Sequence, residues 1–181
     1  SPEQGIRWSG TSSTFGDARE HARTRPDSAV NDARKIMDTE LALVAERLQL
    51  RMPYLRAEKN DRRLAHDFLT QLISDGGSCL QEKTNGAYST ASDRVALLRD
   101  SDRLLLAWGN RGSHTFDVEP AEALKLITAC ENALDVFKCP SCGQRVWFAD
   151  ASGSEAVQCQ CGRLRWRYGK GGIGPQPQMG H

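Results

Sequence analysis

The sequence predicts a mainly α-helical protein, an antiparallel four-helix bundle followed by a small β zinc ribbon. Three observations lead to this prediction. Apolar residues recur every three or four positions in four segments between residues 27 and 137, as on the buried face of a helix. Four of the six cysteines then fall in two close pairs after residue 138. Finally, apolar and basic residues alternate from Arg163 to Tyr168, which is the period of a strand.

The first helix is expected from about Asp27 or Ser28 to Leu50, because either polar residue can cap it and Pro53 breaks the pattern. Its apolar stripe comprises Val30, Ala33, Met37, Leu41, Val44 and Leu48. The second helix is expected over residues 59–74, with Gly76-Gly77 ending it. Residues 77–89 are then expected to form a loop that contains the turn signal Asn85-Gly86.

The third helix is expected from about Ala91 to Trp108, and the fourth begins near Glu119-Pro120. Proline is favourable in the first turn of a helix, where its missing N–H costs nothing. The stripe of the fourth helix comprises Leu124, Ile127, Cys130, Leu134 and Phe137. Four amphipathic helices joined by short loops favour an antiparallel bundle.

Composition assigns the chain to the soluble globular class. It has 181 residues, a net charge of +1, 39% hydrophobic and 26% charged residues, and no apolar run near the ~20 residues of a membrane span. The opening SPEQGIRWSG has no secretion-signal pattern, so we expect a reducing, cytoplasmic location. The expected divisions are a flexible lead-in at 1–26, the bundle at 27–137, the ribbon at 138–169 and a disordered tail at 170–181.

The paired cysteines predict one structural Zn²⁺ ion. Cys139 and Cys142 precede Cys159 and Cys161 by 16 intervening residues, enough for a β-hairpin. Four thiolates satisfy tetrahedral zinc and leave no open position for water. A redox role for the first pair is disfavoured because the second pair lies at ligand spacing. Of the other cysteines, Cys130 lies on a core stripe, and Cys79 has no evident partner.

The ribbon is the basic end of the chain, with six basic and two acidic residues from Lys138 onward. Its candidate nucleic-acid-binding residues are Arg145, Arg163, Arg165, Arg167 and Trp147. The arginines would contact phosphates, and the tryptophan, or Trp166, would stack on bases. The alternative is a solvated strand face above an aromatic mini-core.

The polar turn between the third and fourth helices is the candidate catalytic site. It places Asn110, Arg111 and His114 within five residues. Histidine is the natural acid/base at neutral pH and arginine a natural phosphate ligand, a pairing that suits RNA cleavage through the 2′-hydroxyl. The alternative is that the turn only caps a helix and His114 makes a local hydrogen bond. A second pair, Arg62 and His66, has one-turn helical spacing and is interpreted mainly as a solvated face.

A four-helix unit with an Asn-x-x-x-His turn before its last helix resembles the HEPN family. In that family an Arg-x(4–6)-His motif at this junction carries metal-independent ribonuclease activity, usually at a dimer interface. Asn110 and His114 match the Arg-Asn-x-x-x-His form. The departure is Gly109, which stands at the family's arginine position, with Arg111 as the nearby arginine.

Residues 108–148 also resemble the C-terminal ends of bacterial AAA-type, SMC-like defence ATPases, in which a HEPN-like region runs into a zinc ribbon. The two resemblances together cover roughly residues 90–168. They imply an RNA-cleaving effector module of a bacterial defence or toxin system, acting as a homodimer or within a larger ATPase assembly. His114 would then move protons, Arg111 would steady the phosphate and Asn110 would orient the turn. The alternative is a non-catalytic module for dimerisation and for binding RNA or other nucleic acid.

Overall fold

The structure is a computed structural model that describes residues 14–55, 57–60, 63–109, 117–147, 149–150 and 155–168. Across these ranges the protein is mainly helical and has a small antiparallel sheet. The helices are α1 (Phe15–Thr24), α2 (Pro26–Arg47), α3 (Ala57–Asn60), α4 (Ala65–Cys79), α5 (Ser92–Gly109) and α6 (Pro120–Asp135). The strands are β1 (Leu80–Thr84), β2 (Ala87–Thr90), β3 (Ala149–Asp150), β4 (Ala156–Gln158) and β5 (Leu164–Arg167). No helix in the ranges described here is long and apolar enough to cross a membrane.

The long helices enclose one apolar core. Helices α2 and α5 each contact both α4 and α6. The predicted stripe of α2 is confirmed, because all six of its residues are buried. On α6 the stripe is displaced: Ile127 and Cys130 are buried, but Leu124 and Leu134 are only partly buried. The buried positions between them include Ala123, Leu126 and Ala133, and the two alanines let α6 approach its neighbours closely.

The segment assigned to a lead-in contains helix α1, which corrects that expectation from residue 14 onward. Thr14 and Asp17 form a reciprocal capping box at its start. Ala18 and Ala22 are fully buried against α2 and α6, and His21 bonds Asp32 of α2 through Nδ1 at 2.8 Å. The helix has too few large apolar residues to show the stripe on which sequence analysis depends.

Helix α4 lies about five residues later than expected. It begins after Leu64, whose N–H donates to the Asp67 carboxylate at 2.9 Å, and it runs through Gly76 and Gly77 instead of stopping there. A Cβ on Gly76 would lie 3.2 Å from Cγ2 of Val95, so this glycine permits the close approach of α4 and α5. Its function is interhelical packing, not termination.

The expected loop at residues 77–89 is instead the end of α4 and a β-hairpin. Asn85 and Gly86 both have positive φ, at 52° and 84°, as a two-residue hairpin turn requires. Strand β1 pairs with β2 in the register Lys83 to Tyr88. The turn signal was therefore correct, but the strands on either side of it were missed.

The hairpin and the cysteine-bearing C-terminal segment form one five-stranded sheet in the order β2-β1-β5-β4-β3. Strands β1 and β5 are antiparallel, with Leu80 opposite Trp166 and Gln81 opposite Arg165. The expected strand at 163–168 is thus present as β5, and its alternation holds, since Leu164 and Trp166 are buried. Between the first cysteine pair and β3, Arg145 makes a single isolated bridge with Lys138.

The sheet packs on the helices through an aromatic cluster. The Phe137 ring centroid lies 6.3 Å from that of Trp166 and 6.5 Å from that of Trp147. Arg94 of α5 completes this junction. Its Nη1 donates to the carbonyls of Val136 at 2.9 Å and Lys138 at 3.1 Å, just after α6.

Candidate metal centre and basic sheet face

The four paired cysteines converge on one point. The Sγ atoms of Cys139, Cys142, Cys159 and Cys161 all lie within 4.8 Å of one another, and Cys161 is 3.6 Å from both Cys139 and Cys159. A tetrahedral site with metal–sulfur bonds of about 2.3 Å has sulfur–sulfur edges of about 3.8 Å. The four thiols could therefore hold one metal ion with little rearrangement.

Each cysteine pair lies on a tight turn of the same construction. In the first, the Cys139 N–H donates to the Gln144 carbonyl at 2.9 Å, and the Gly143 N–H donates back to the Cys139 carbonyl at 2.9 Å. The φ of Gly143 is 69°, a left-handed conformation that a side chain would strain. This geometry brings the thiols of Cys139 and Cys142 onto one side of the chain.

The second turn has the same arrangement, but one residue separates its two cysteines, where two separate those of the first turn. Cys159 N–H donates to the Leu164 carbonyl at 2.9 Å, Gly162 N–H donates to the Cys159 carbonyl at 3.0 Å, and the φ of Gly162 is 70°. Because the Leu164 carbonyl accepts this hydrogen bond and Leu164 is the first residue of β5, the second cysteine turn sets the start of that strand.

Backbone N–H groups point at the sulfurs, which favours the thiolate form that binds metals. Ser141 N–H donates to Cys139 Sγ at 3.4 Å, and Leu164 N–H donates to Cys159 Sγ at 3.2 Å. Hydrogen bonds from the Cys161 and Gln144 N–H groups lower the pKa of Cys142 to about 6.

Burial acts in the opposite direction on the innermost ligand. It raises the pKa of the fully buried Cys159 thiol to about 12, and the neighbouring thiols Cys139 and Cys161 add to the increase. Four thiolates held this close together repel one another, so a bound cation is needed to offset their charge. The donor set and its surroundings therefore fit a bound divalent metal ion.

Two of the four candidate nucleic-acid-binding arginines have acidic partners. Arg145 pairs with Glu40 of α2 at 3.3 Å, and its guanidinium lies 5.4 Å from the centroid of the Trp147 ring, which is partly buried. Arg163 pairs with Glu82 of β1 at 3.1 Å and donates to Ser141 Oγ at 2.8 Å. These contacts join the cysteine-bearing segment to the rest of the fold.

The other two candidate arginines, Arg165 and Arg167, lie on the face of β5 opposite to Leu164 and Trp166. The Arg165 guanidinium stacks on Tyr88, with Cζ 3.5 Å from the ring centroid, and Nε donates to Gln81 at 2.8 Å. Arg167 is exposed. The hairpin residues that accompany Arg165 were not identified from the sequence, although the turn signal Asn85-Gly86 could have indicated a β-hairpin.

The predicted catalytic residues Asn110, Arg111 and His114 lie outside the described residues. The described neighbours place their turn between the last residue of α5, Gly109, and the first of α6, Pro120. Of the second pair, Arg62 is also outside these ranges, and His66 Nδ1 lies 2.7 Å from Oδ1 of Asp102. Comparisons with family models, curated proteins and solved structures found no match to this chain.

Proposed function

We propose that the chain is a non-catalytic nucleic-acid-binding module whose C-terminal segment is a zinc ribbon. The donor set supports zinc, since four cysteine sulfurs at tetrahedral spacing select Zn²⁺ or iron–sulfur chemistry. A site with four protein ligands has no position for a substrate or water, so the ion is structural.

The observation that carries the binding function is the outward basic face of β5. Arg165 and Arg167 have no carboxylate within ion-pair distance in the part of the chain that the structure describes. Arginines held on a rigid sheet with their charge uncompensated attract phosphates. Arg145 and Arg163 contribute less in this proposal, because Arg145 pairs with Glu40 and Arg163 shares the Glu82 carboxylate with Arg94.

The test compares the zinc-loaded parent with Arg167→Ala and with Arg99→Ala, an exposed arginine on α5 that serves as the matched control. Fluorescence anisotropy with a labelled RNA oligonucleotide measures affinity between about 50 and 200 mM salt, where phosphate contacts weaken strongly. We expect Arg167→Ala, but not Arg99→Ala, to weaken binding. A parent that shows no salt-dependent binding contradicts the proposal.

A ribonuclease of the HEPN type is the second candidate, supported by the position of the turn at residues 110–119. In the sequence these residues stand between α5 and α6, two helices that pack against each other. In this proposal His114 moves protons, Arg111 holds phosphate, Asn110 orients the turn, and a second copy or a larger ATPase assembly completes the site.

Incubation of the zinc-loaded protein with tRNA and mRNA in EDTA-containing buffer, beside His114→Ala, separates the two candidates. A brief exposure spares a tightly bound structural ion and suppresses metal-dependent contaminants. Cleavage by the parent that is lost in His114→Ala supports the nuclease. Absent or equal cleavage leaves the binding module.

A further inference from the structure

The outward face of the sheet is shared by two segments that are distant in sequence. The strand registers place Lys83 beside Tyr88, and Gln81 beside Arg165. We call this surface the outer sheet face; its residues are Gln81, Lys83, Tyr88, Thr90, Gln158, Arg165 and Arg167. The hairpin β1–β2 therefore extends the basic surface of β5 by two strands.

The outer sheet face carries positive charge without acidic residues. Lys83, Arg165 and Arg167 make no ion pair within the described ranges, and none of the seven residues of the face is Asp or Glu. The acidic residue of the hairpin, Glu82, lies at the intervening strand position and pairs with Arg94 and Arg163. The alternation of side chains along the strands thus places the Glu82 carboxylate away from the outer sheet face and the cationic side chains on it.

An arginine–tyrosine stack forms the centre of the face. The Lys83 Nζ lies 5.6 Å from the centroid of the Tyr88 ring on which Arg165 stacks. Tyr88 donates its hydroxyl proton to the Gly162 carbonyl at 2.6 Å, and that carbonyl belongs to the second cysteine turn. The Arg165 and Tyr88 side chains are therefore already fixed in the free protein. A ligand that contacts them costs little of their conformational entropy on binding.

We propose that the outer sheet face binds the backbone of a single-stranded nucleic acid, with the hairpin supplying Lys83 and Tyr88 as part of the site. This rests on the proposed nucleic-acid-binding function and identifies its ligand class. Lys83 of β1 lies level with Arg163, one strand to the side of β5, so along the strand direction Lys83, Arg165 and Arg167 are two residues apart, about 7 Å a step. Long cationic side chains at such intervals can contact successive phosphates of an extended strand.

The width of the surface disfavours a duplex as the ligand. Four neighbouring strands, β2, β1, β5 and β4, span about 14 Å at the usual strand spacing. That exceeds the ~12 Å major groove of B-form DNA, which admits one helix or a two-stranded ribbon. A sheet face with cations at regular intervals along the strand direction instead matches a flexible single strand that can lie along it.

The test uses the full zinc-loaded chain and a fluorescein-labelled 15-nucleotide RNA, the DNA strand of the same sequence, and the corresponding DNA duplex. Lys83→Ala and Lys83→Glu are compared with Lys35→Ala, which removes an exposed lysine of α2. Zinc content and circular dichroism confirm that every variant is folded. With three phosphate contacts, the logarithm of affinity should fall with the logarithm of salt with a slope of about −2.

We expect Lys83→Ala to lower the magnitude of that slope by about 0.7, Lys83→Glu to weaken binding further, and Lys35→Ala to match the parent. The duplex should bind more weakly than either single strand. Loss of binding in Arg167→Ala with Lys83→Ala unchanged would overturn the hairpin site and leave the proposed function standing. Equal or tighter duplex binding overturns the ligand class, and no binding by the parent overturns both proposals.

Discussion

Removal of the proposed zinc ion is expected to release β4 and β5 from the helices while the helices stay folded. Ordering the backbone of the 14 residues 155–168 costs about 14–28 kcal/mol. Burial of Val157, Leu164 and Trp166 contributes about 5–9 kcal/mol. A structural zinc ion contributes about 10–16 kcal/mol. The ordered segment is therefore near balance with the ion bound and strongly unfavourable without it.

Amide hydrogen exchange on the metal-loaded and chelated protein measures this directly. The informative amides are those of Lys83, which donates to the Arg163 carbonyl at 2.7 Å, and of Cys159. Both should lose their protection on chelation, whereas amides of the fully buried Met37 and Leu41 in α2 should retain it. Protein shown by elemental analysis to be metal-free, but with β5 still protected, would refute the reasoning.

The remaining predictions concern the helical core and are all measured by urea denaturation. Gly77→Ala should stabilise the protein by about 1 kcal/mol through helix propensity, and Gly76→Ala should gain less because its Cβ meets Val95 at 3.2 Å; an equal gain from both would contradict this packing role. Arg94→Ala should cost about 2–4 kcal/mol, since it removes charge-assisted hydrogen bonds to two carbonyls; a change below about 1 kcal/mol would count against the junction. Burial raises the pKa of Asp38 above 3.8, so the folded state holds its proton to higher pH than the unfolded state, and stability should fall as pH rises from about 4. Asp38→Asn should reduce that fall, and an unchanged pH profile would contradict it.

The sequence predicted the structure best where a residue pattern has one common structural role. Cysteine pairs at ligand spacing predicted the cluster of four thiols, because two short turns can bring them together without help from the rest of the chain. The stripe of α2 was equally readable, since large apolar residues at helical spacing have to be buried. In both cases the information is local.

What could not be predicted depends on contacts between distant segments. Gly76 resembles a helix stop until the position of Val95 is known. Helix α1 buries alanines, which carry too weak a hydrophobic signal to distinguish a packed helix from a polar segment. The pairing of β1 with β5 joins Gln81 to Arg165, and no periodicity within either segment specifies its partner.

The pairing of β1 with β5 also connects the cysteine cluster to the basic surface of the sheet. If the ribbon were an independent unit, the ion would stabilise only its own strands. Instead, the turn that holds Cys159 and Cys161 also presents the Gly162 carbonyl to Tyr88, on which Arg165 stacks. In the proposed function, a zinc ion held by these cysteines would therefore influence binding at Arg165 from a distance, because it would fix the carbonyl that orients the Tyr88 ring. Loss of the metal and loss of the tyrosine hydroxyl should therefore perturb the same arginine, the first by removing the turn and the second by freeing the ring.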